Sequence, residues 1–156
     1  MSLRPIVAWS PWATAPLLLA GIVLLAPYLL MHGPLPLGMV IYRGFSLVCH
    51  QHPERSFVIF GAPVAVCARC LGIYLGAAAG LLLRTSRQLA LRFLIAAAGL
   101  NLLDWATELA GLHGNRMWVR FALGLGLGAA GALLIASTTS RECSPPTEPA
   151  SVAHGQ

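Results

Sequence analysis

The stretch Cys67-Ala-Arg-Cys-Leu-Gly-Ile-Tyr-Leu-Gly-Ala-Ala-Ala-Gly80 decides how this chain folds. It opens on a C-x-x-C pair and continues as an apolar run in which Gly72, Gly76 and Gly80 recur every four residues. On a helix that period puts the three glycines on one face, where the missing side chains let another helix backbone come close. Cys67 and Cys70 then lie one turn apart, with Tyr74 a further turn along. The expectation is a tightly packed membrane helix that begins in a thiol pair and runs from about Pro63 to Leu83.

Composition sets the class around it. Of 156 residues, 57% are hydrophobic and 10% charged, with a mean hydropathy of +0.74; soluble domains carry about 25% charged residues. The expected fold is all-α, a polytopic transmembrane bundle of about four spans, each of roughly 20 residues. The other three spans are expected over Ala13 to Met31, Leu89 to Ala110, and Met117 to Ser137. Residues 1–137 form one helical domain on this basis. Residues 138–156, rich in Ser, Pro, Thr and Glu, read as a disordered polar tail in which Cys143 is incidental.

Finer features follow. Trp9 and Trp12 suit the membrane–water interface, and Pro27 is placed to kink the first span. No small-x-small cleavage pattern follows the apolar stretch from Leu17 to Met31, so the first span is expected to be retained. Gly33-Pro-Leu-Pro-Leu-Gly38 breaks the helix. Met39 to Phe60 is too polar to span, and its first part, Val40 to Val48, fits a short interfacial helix. Gly124, Gly128, Gly131 and Ala132 give the fourth span a small-residue pattern of its own.

The ten cationic side chains are all arginine, against Glu54, Asp104, Glu108, Glu142 and Glu148. They are scattered among apolar segments rather than run together, which argues against nucleic acid and for topology control, lipid head groups and internal ion pairs. Arg84, Arg87 and Arg92 mark the loop between the second and third spans as cytoplasmic. Both termini would then be inside a cell inner (cytoplasmic) membrane, with the loop between the first two spans outside. Arg43, Arg55, Arg69, Arg116 and Arg120 on the outer side read as site residues.

Chemistry concentrates in that loop. Cys49-His-Gln-His-Pro-Glu-Arg-Ser56 precedes the C-x-x-C pair, and Cys49, His50, Cys67 and Cys70 make a four-ligand set for zinc or another transition metal, with His52 as a substitute. The same thiol pair at a helix N-terminus suits disulfide exchange, with Cys49 as the third thiol. Arg69 lies between the paired cysteines, where its charge favours thiolates or an anionic group. Arg55 with Ser56 suits phosphate or carboxylate. In the third span, Asn101, Asp104 and Glu108 share one face. Asp104 needs a partner inside the bundle, for which Arg120 is expected, while Glu108 is expected to reach the head-group region. The catalytic candidates are Asp104, Arg55 and Arg69. The partners implied are the lipid bilayer, an anionic small molecule or lipid, and a second copy of the chain through the glycine faces. A metal site, a thiol–disulfide oxidoreductase and a small transporter or scaffold all stay open at this point, and so does whether the chain is an enzyme.

The segments Cys49-His-Gln-His-Pro-Glu-Arg-Ser-Phe57 and Cys67-Ala-Arg-Cys-Leu-Gly-Ile-Tyr-Leu-Gly76 resemble the signature of a prokaryotic membrane-protein family, domain of unknown function 2085. Asp104 and Gly114-Asn-Arg-Met-Trp-Val-Arg120 also fit its pattern, so the likeness extends from about Tyr42 to Gly131. The resemblance implies a small polytopic bacterial or archaeal membrane protein and brings no established activity with it.

Overall fold

The computed structural model describes residues 4–5, 11–112, 114 and 116–139. Helix α1 (Pro11–His32) runs through Pro16 and Pro27 and is closed by Gly33, whose amide donates to the Leu29 carbonyl. Pro34 then fixes an extended residue, and helix α2 (Leu35–Ser46) begins directly after it. The break is therefore shorter than Gly33–Gly38. Gly38 is already helical and packs against the backbone of Leu30. A 3-10 turn (Pro53–Arg55) follows.

A small hairpin pairs β2 (Val58–Ile59) with β3 (Ala62–Pro63). Its two turn residues, Phe60 and Gly61, both have positive φ, 54° and 81°, as a two-residue hairpin loop requires. Gly61 adopts this conformation without cost, whereas Phe60 must be held there. Its ring lies edge-on to Tyr28, 5.4 Å away, and to His32, anchoring the hairpin on the end of α1.

The second apolar helix, α3, spans Ala68–Leu81 and is shorter at its start than the expected Pro63–Leu83. Val64, Ala65 and Val66 are apolar and almost fully buried but not helical. Pro63 lies in the hairpin, and the Val64 amide donates to the Phe57 carbonyl instead of entering a helix. Hydropathy alone does not separate such a buried extended segment from the first turn of a span. Irregular backbone beside apolar spans is tolerated when protein covers it, and Val64, Ala65 and Val66 are covered. Leu83–Arg84 (β4) pairs antiparallel with Arg4–Pro5 (β1), which brings the N-terminal arginine to the same end as the Arg84/Arg87 connection. Helices α4 (Arg87–Leu109) and α5 (Met117–Thr139) follow, α4 capped by Ser86, whose hydroxyl accepts from the Leu89 amide.

Among the described residues, three helices are long and apolar enough to cross a membrane: Thr14–His32, Arg87–Leu109 and Met117–Thr138. Helix α3, with 14 residues, is apolar but reaches only about 21 Å at about 1.5 Å per residue. The nearly all-α architecture expected from composition is present, with three full-length spans and one short central helix. Cys143 and the tail lie outside the described residues, as does Trp9.

The centre of the fold is the contact between α3 and α5. A side chain built on Gly72 would collide with the Phe121 carbonyl, one on Gly76 with the Leu125 carbonyl, and one on Gly80 with Ala129. From the other side, Gly124 faces the Arg69 carbonyl and Gly128 the Ile73 carbonyl. Both sets of partners rise in number together, so the helices run parallel, backbone on backbone, each supplying small residues to the other. Gly131 and Gly126 meet nothing within 4 Å and play no part in this contact, so the small-residue pattern of α5 reduces to Gly124 and Gly128, with Ala132 near Gly80. Helix α1 packs on α3 and α4 on α5. The side-chain amide of Asn101 ties α4 to α5 by donating to the Leu123 carbonyl (3.1 Å).

Gly76→Ala should therefore cost about 1–3 kcal/mol of stability, because its Cβ meets unyielding backbone. Gly131→Ala should cost nothing. Denaturant unfolding of both variants in one detergent checks this; equal stability would mean that the two backbones are not in contact.

Candidate metal centre

The parallel pairing of α3 and α5 brings their N-termini to one end, together with the C-terminal turns of α4. There the loop after α2 folds back over α3. Gln51, at φ 49°, donates from its side-chain amide to the Tyr42 carbonyl (2.7 Å) and the Ala65 carbonyl (2.8 Å). Tyr42 in turn donates to the Pro63 carbonyl. These bonds staple Cys49 against the residues that lead into Cys67. Neither Gln51 nor Tyr42 stands out in the sequence, since a bridging amide looks like any loop glutamine.

Three sulfurs meet as a result. The Sγ atoms of Cys49, Cys67 and Cys70 all lie within 4.8 Å of one another. Cys67 is the N-cap of α3 and Cys70 sits in its first turn, so the helix geometry presents the two side by side, 3.5 Å apart. The Cys67 amide donates to the Cys49 sulfur at 3.2 Å. A tetrahedral metal with metal–sulfur bonds of about 2.3 Å needs sulfurs about 3.8 Å apart, so the cluster is close to a coordinating geometry. All three thiols are free. Hydrogen bonds from the thiols of Cys67 and Cys70, helped by the Cys67 amide, hold the Cys49 thiol far below its ordinary range despite its burial. The cluster is also continuous with the core formed by Val23, Val64, Val66 and Leu71.

His50 does not join the sulfurs. It is exposed, with its ring parallel to that of His52 at 6.2 Å. It nevertheless lines the same cavity of about 420 Å³, as do the three cysteines. Ser56 is buried, with its hydroxyl donating to the His52 carbonyl, so it shapes the turn and is not displayed beside Arg55 as an anion ligand.

Three arginines also line the cavity, beside Val48, Gln51 and His52: Arg55 from the 3-10 turn, Arg69 from α3 and Arg120 from α5. Asp104 accepts from Arg69 at 2.5 Å, and Glu108 engages both Arg55, at 3.1 Å, and Arg120. The pairing expected from sequence is thus corrected. Arg120 takes Glu108 as its carboxylate, and Asp104 takes the arginine of the C-x-x-C motif. The cause is the parallel α3–α5 contact, which sets Arg69 beside Gly124 and so within reach of α4. Glu108 is accordingly a bridging group and not a head-group contact. The helical spacing of Asp104 and Glu108 signalled that they share a face, and only the fold shows which cation each one meets.

The comparisons with known proteins agree with a membrane protein. Residues 49–134 match the family described as "Predicted membrane protein (DUF2085)". An uncharacterised protein of Methanocaldococcus jannaschii is 44% identical over 66 residues, which cover 39% of this chain and 42% of that protein. An uncharacterised protein of Methanothermobacter thermautotrophicus is 35% identical over 103 residues, 62% of this chain and 90% of that one. The chain thus spans less than half of the first relative and most of the second. No solved structure matches. The matched region begins at Cys49 and takes in all three thiols and all three cavity arginines, and the chain belongs to this family of predicted membrane proteins, DUF2085.

Proposed function

We propose that this is an integral membrane metalloprotein in which Cys49, Cys67 and Cys70 hold a transition metal beside an arginine-walled cavity. The observation that carries this is the convergence of three free sulfurs from a loop and a helix start, with a backbone amide already donating to one of them. Soft thiolate donors at a tetrahedral spacing favour zinc. His50 is the nearest candidate for the fourth position, reached by turning its side chain into the cavity it lines. Bound zinc would supply Lewis acidity to whatever occupies that cavity.

The cavity's own groups have separable roles in this scheme. Arg55 and Arg69 hold an anionic group. Asp104, which accepts from Arg69, orients that guanidinium. A second scheme, thiol–disulfide exchange, draws on the 3.5 Å approach of Cys67 and Cys70 at a helix N-terminus.

Elemental analysis with thiol counting on detergent-purified protein separates the two. Stoichiometric zinc is expected, lost in Cys49→Ser, Cys67→Ser and Cys70→Ser, and kept in His50→Ala with weaker retention against a chelator. Metal-free protein with a reducible Cys67–Cys70 disulfide would establish the exchange scheme instead.

The site is further proposed to face the outside of the cytoplasmic membrane. The support is the clustering of Arg84 and Arg87 at the opposite end, joined there by Arg4 through the β1–β4 pairing. Single cysteines replacing Pro36 or Gln88, in a background with the native thiols changed to serine, test this with an impermeant maleimide on intact cells. Labelling is expected at position 36; labelling at position 88 alone would reverse the orientation.

A further inference from the structure

The cavity beside the thiols carries more positive charge than its carboxylates answer. Arg55, Arg69 and Arg120 line it, while the carboxylates that engage them are Asp104 and Glu108. That sets three guanidinium groups against two carboxylates, with the Cys49 thiolate as the further anion of the cavity, so what the cavity offers a ligand is hydrogen-bond donors rather than net charge. Arg120 is only 5% exposed, and its Nε has no hydrogen-bond partner among the described residues. The Nε of Arg69 is buried and without a partner in the same way. An unanswered buried donor carries the full desolvation penalty of that group, so these two guanidinium groups keep hydrogen-bonding capacity that their carboxylates do not use. The start of α3 adds to the field, since Cys67 caps a 14-residue helix whose positive end lies at the cavity.

We propose that this cavity binds a phosphate group, with buried Arg120 and partly buried Arg69 as its inner donors and Arg55 as the arginine that closes over it. Arg55 is suited to closing because its side chain is 42% exposed, against 7% for Arg120. Three guanidinium forks supply more donors than the two oxygens of a carboxylate can use, whereas a tetrahedral phosphate offers acceptors in several directions. The volume of about 420 Å³ falls within the roughly 300–1,000 Å³ typical of small-molecule sites, so the phosphate can bring an organic group with it. Val48, 69% exposed, stands at the cavity, and Leu47, 87% exposed, stands next to it; such an apolar edge suits a phospholipid head group arriving from the bilayer as well as a soluble phosphate ester. The proposal deepens the metalloprotein scheme by naming the ligand class of the same cavity, and it rests on that scheme for location while its guanidinium donors are present with or without a metal.

The test uses the full chain in detergent, as isolated and again after chelation, with metal content measured each time. Inorganic phosphate and a short-chain phosphatidic acid are titrated calorimetrically against the native protein, the double variant Arg120→Gln/Glu108→Gln, and Arg43→Gln as the control, since Arg43, expected from sequence at the site, does not line the cavity. The double variant removes the buried cation together with its carboxylate; Arg55, which also loses Glu108, is 42% exposed and is met by solvent, so no buried charge is left unpaired. Saturable binding is expected in the native protein and in Arg43→Gln, and it should weaken about 10- to 100-fold in the double variant. Tighter binding of the lipid would assign the head group, and tighter binding of inorganic phosphate a soluble ester; either sustains the proposal. No saturable binding of either probe, or equal binding by the folded double variant, overturns it. Arg120-dependent phosphate binding by a protein that holds no metal would leave this proposal standing and remove the metal centre, so the two failures are distinguishable.

Discussion

The backbone contact between α3 and α5 sets the position of everything else at the site. Two helices can approach this closely only where both present glycine, and here Gly72, Gly76 and Gly80 meet the carbonyls of α5 while Gly124 and Gly128 meet those of α3. Lipid tails are as apolar as leucine, so burial of apolar surface gives little drive for helices to associate within a bilayer, and close packing must supply it. The consequence is positional. With the helices parallel and in this register, Cys67, Arg69 and Cys70 at the start of α3 lie at the level of Arg120 at the start of α5. A helix as short as α3 tolerates its irregular approach because the hairpin and the loop after α2 cover it.

Charge is the second constraint. Ionisable groups this deep in an apolar chain persist when they are paired, and the carboxylates of α4 do that pairing. Asp104 and Glu108 lie one helical turn apart and answer cations delivered by three different elements. Glu108 bridges two of them, which links the 3-10 turn to α5 through a side chain of α4. The ion pairs therefore do structural work, holding the loop over the helix ends, and at the same time aim guanidinium groups into the cavity that contains the thiols. The two roles share the same atoms.

Much of this was legible in the sequence, and the gaps have physical causes. The apolar spans and the glycine face of α3 follow from periodicity, which local geometry enforces, and the thiol grouping follows from the C-x-x-C spacing on a helix. The start of α3 was missed because Val64–Val66 satisfy the hydropathy of a span while being buried as extended chain. The partners of Asp104 and Arg120 were missed because ion pairing across helices depends on register, and register here is set by which glycine meets which carbonyl. Gly131 shows the same limit from the other side, since it fits the small-residue pattern in sequence yet faces open space. His50, adjacent to Cys49 in the chain, is exposed, while Gln51 after it takes a left-handed conformation and reaches two carbonyls, a turn that adjacency in sequence does not reveal.

The central claim is that this packing delivers three thiols to one metal. X-ray absorption at the zinc edge of the protein purified in detergent measures that directly. The account predicts three sulfur neighbours at about 2.3 Å and one lighter neighbour, nitrogen or oxygen, at about 2.0 Å. A shell of light atoms only, or fewer than three sulfurs on a protein with all of its thiols intact, would contradict it.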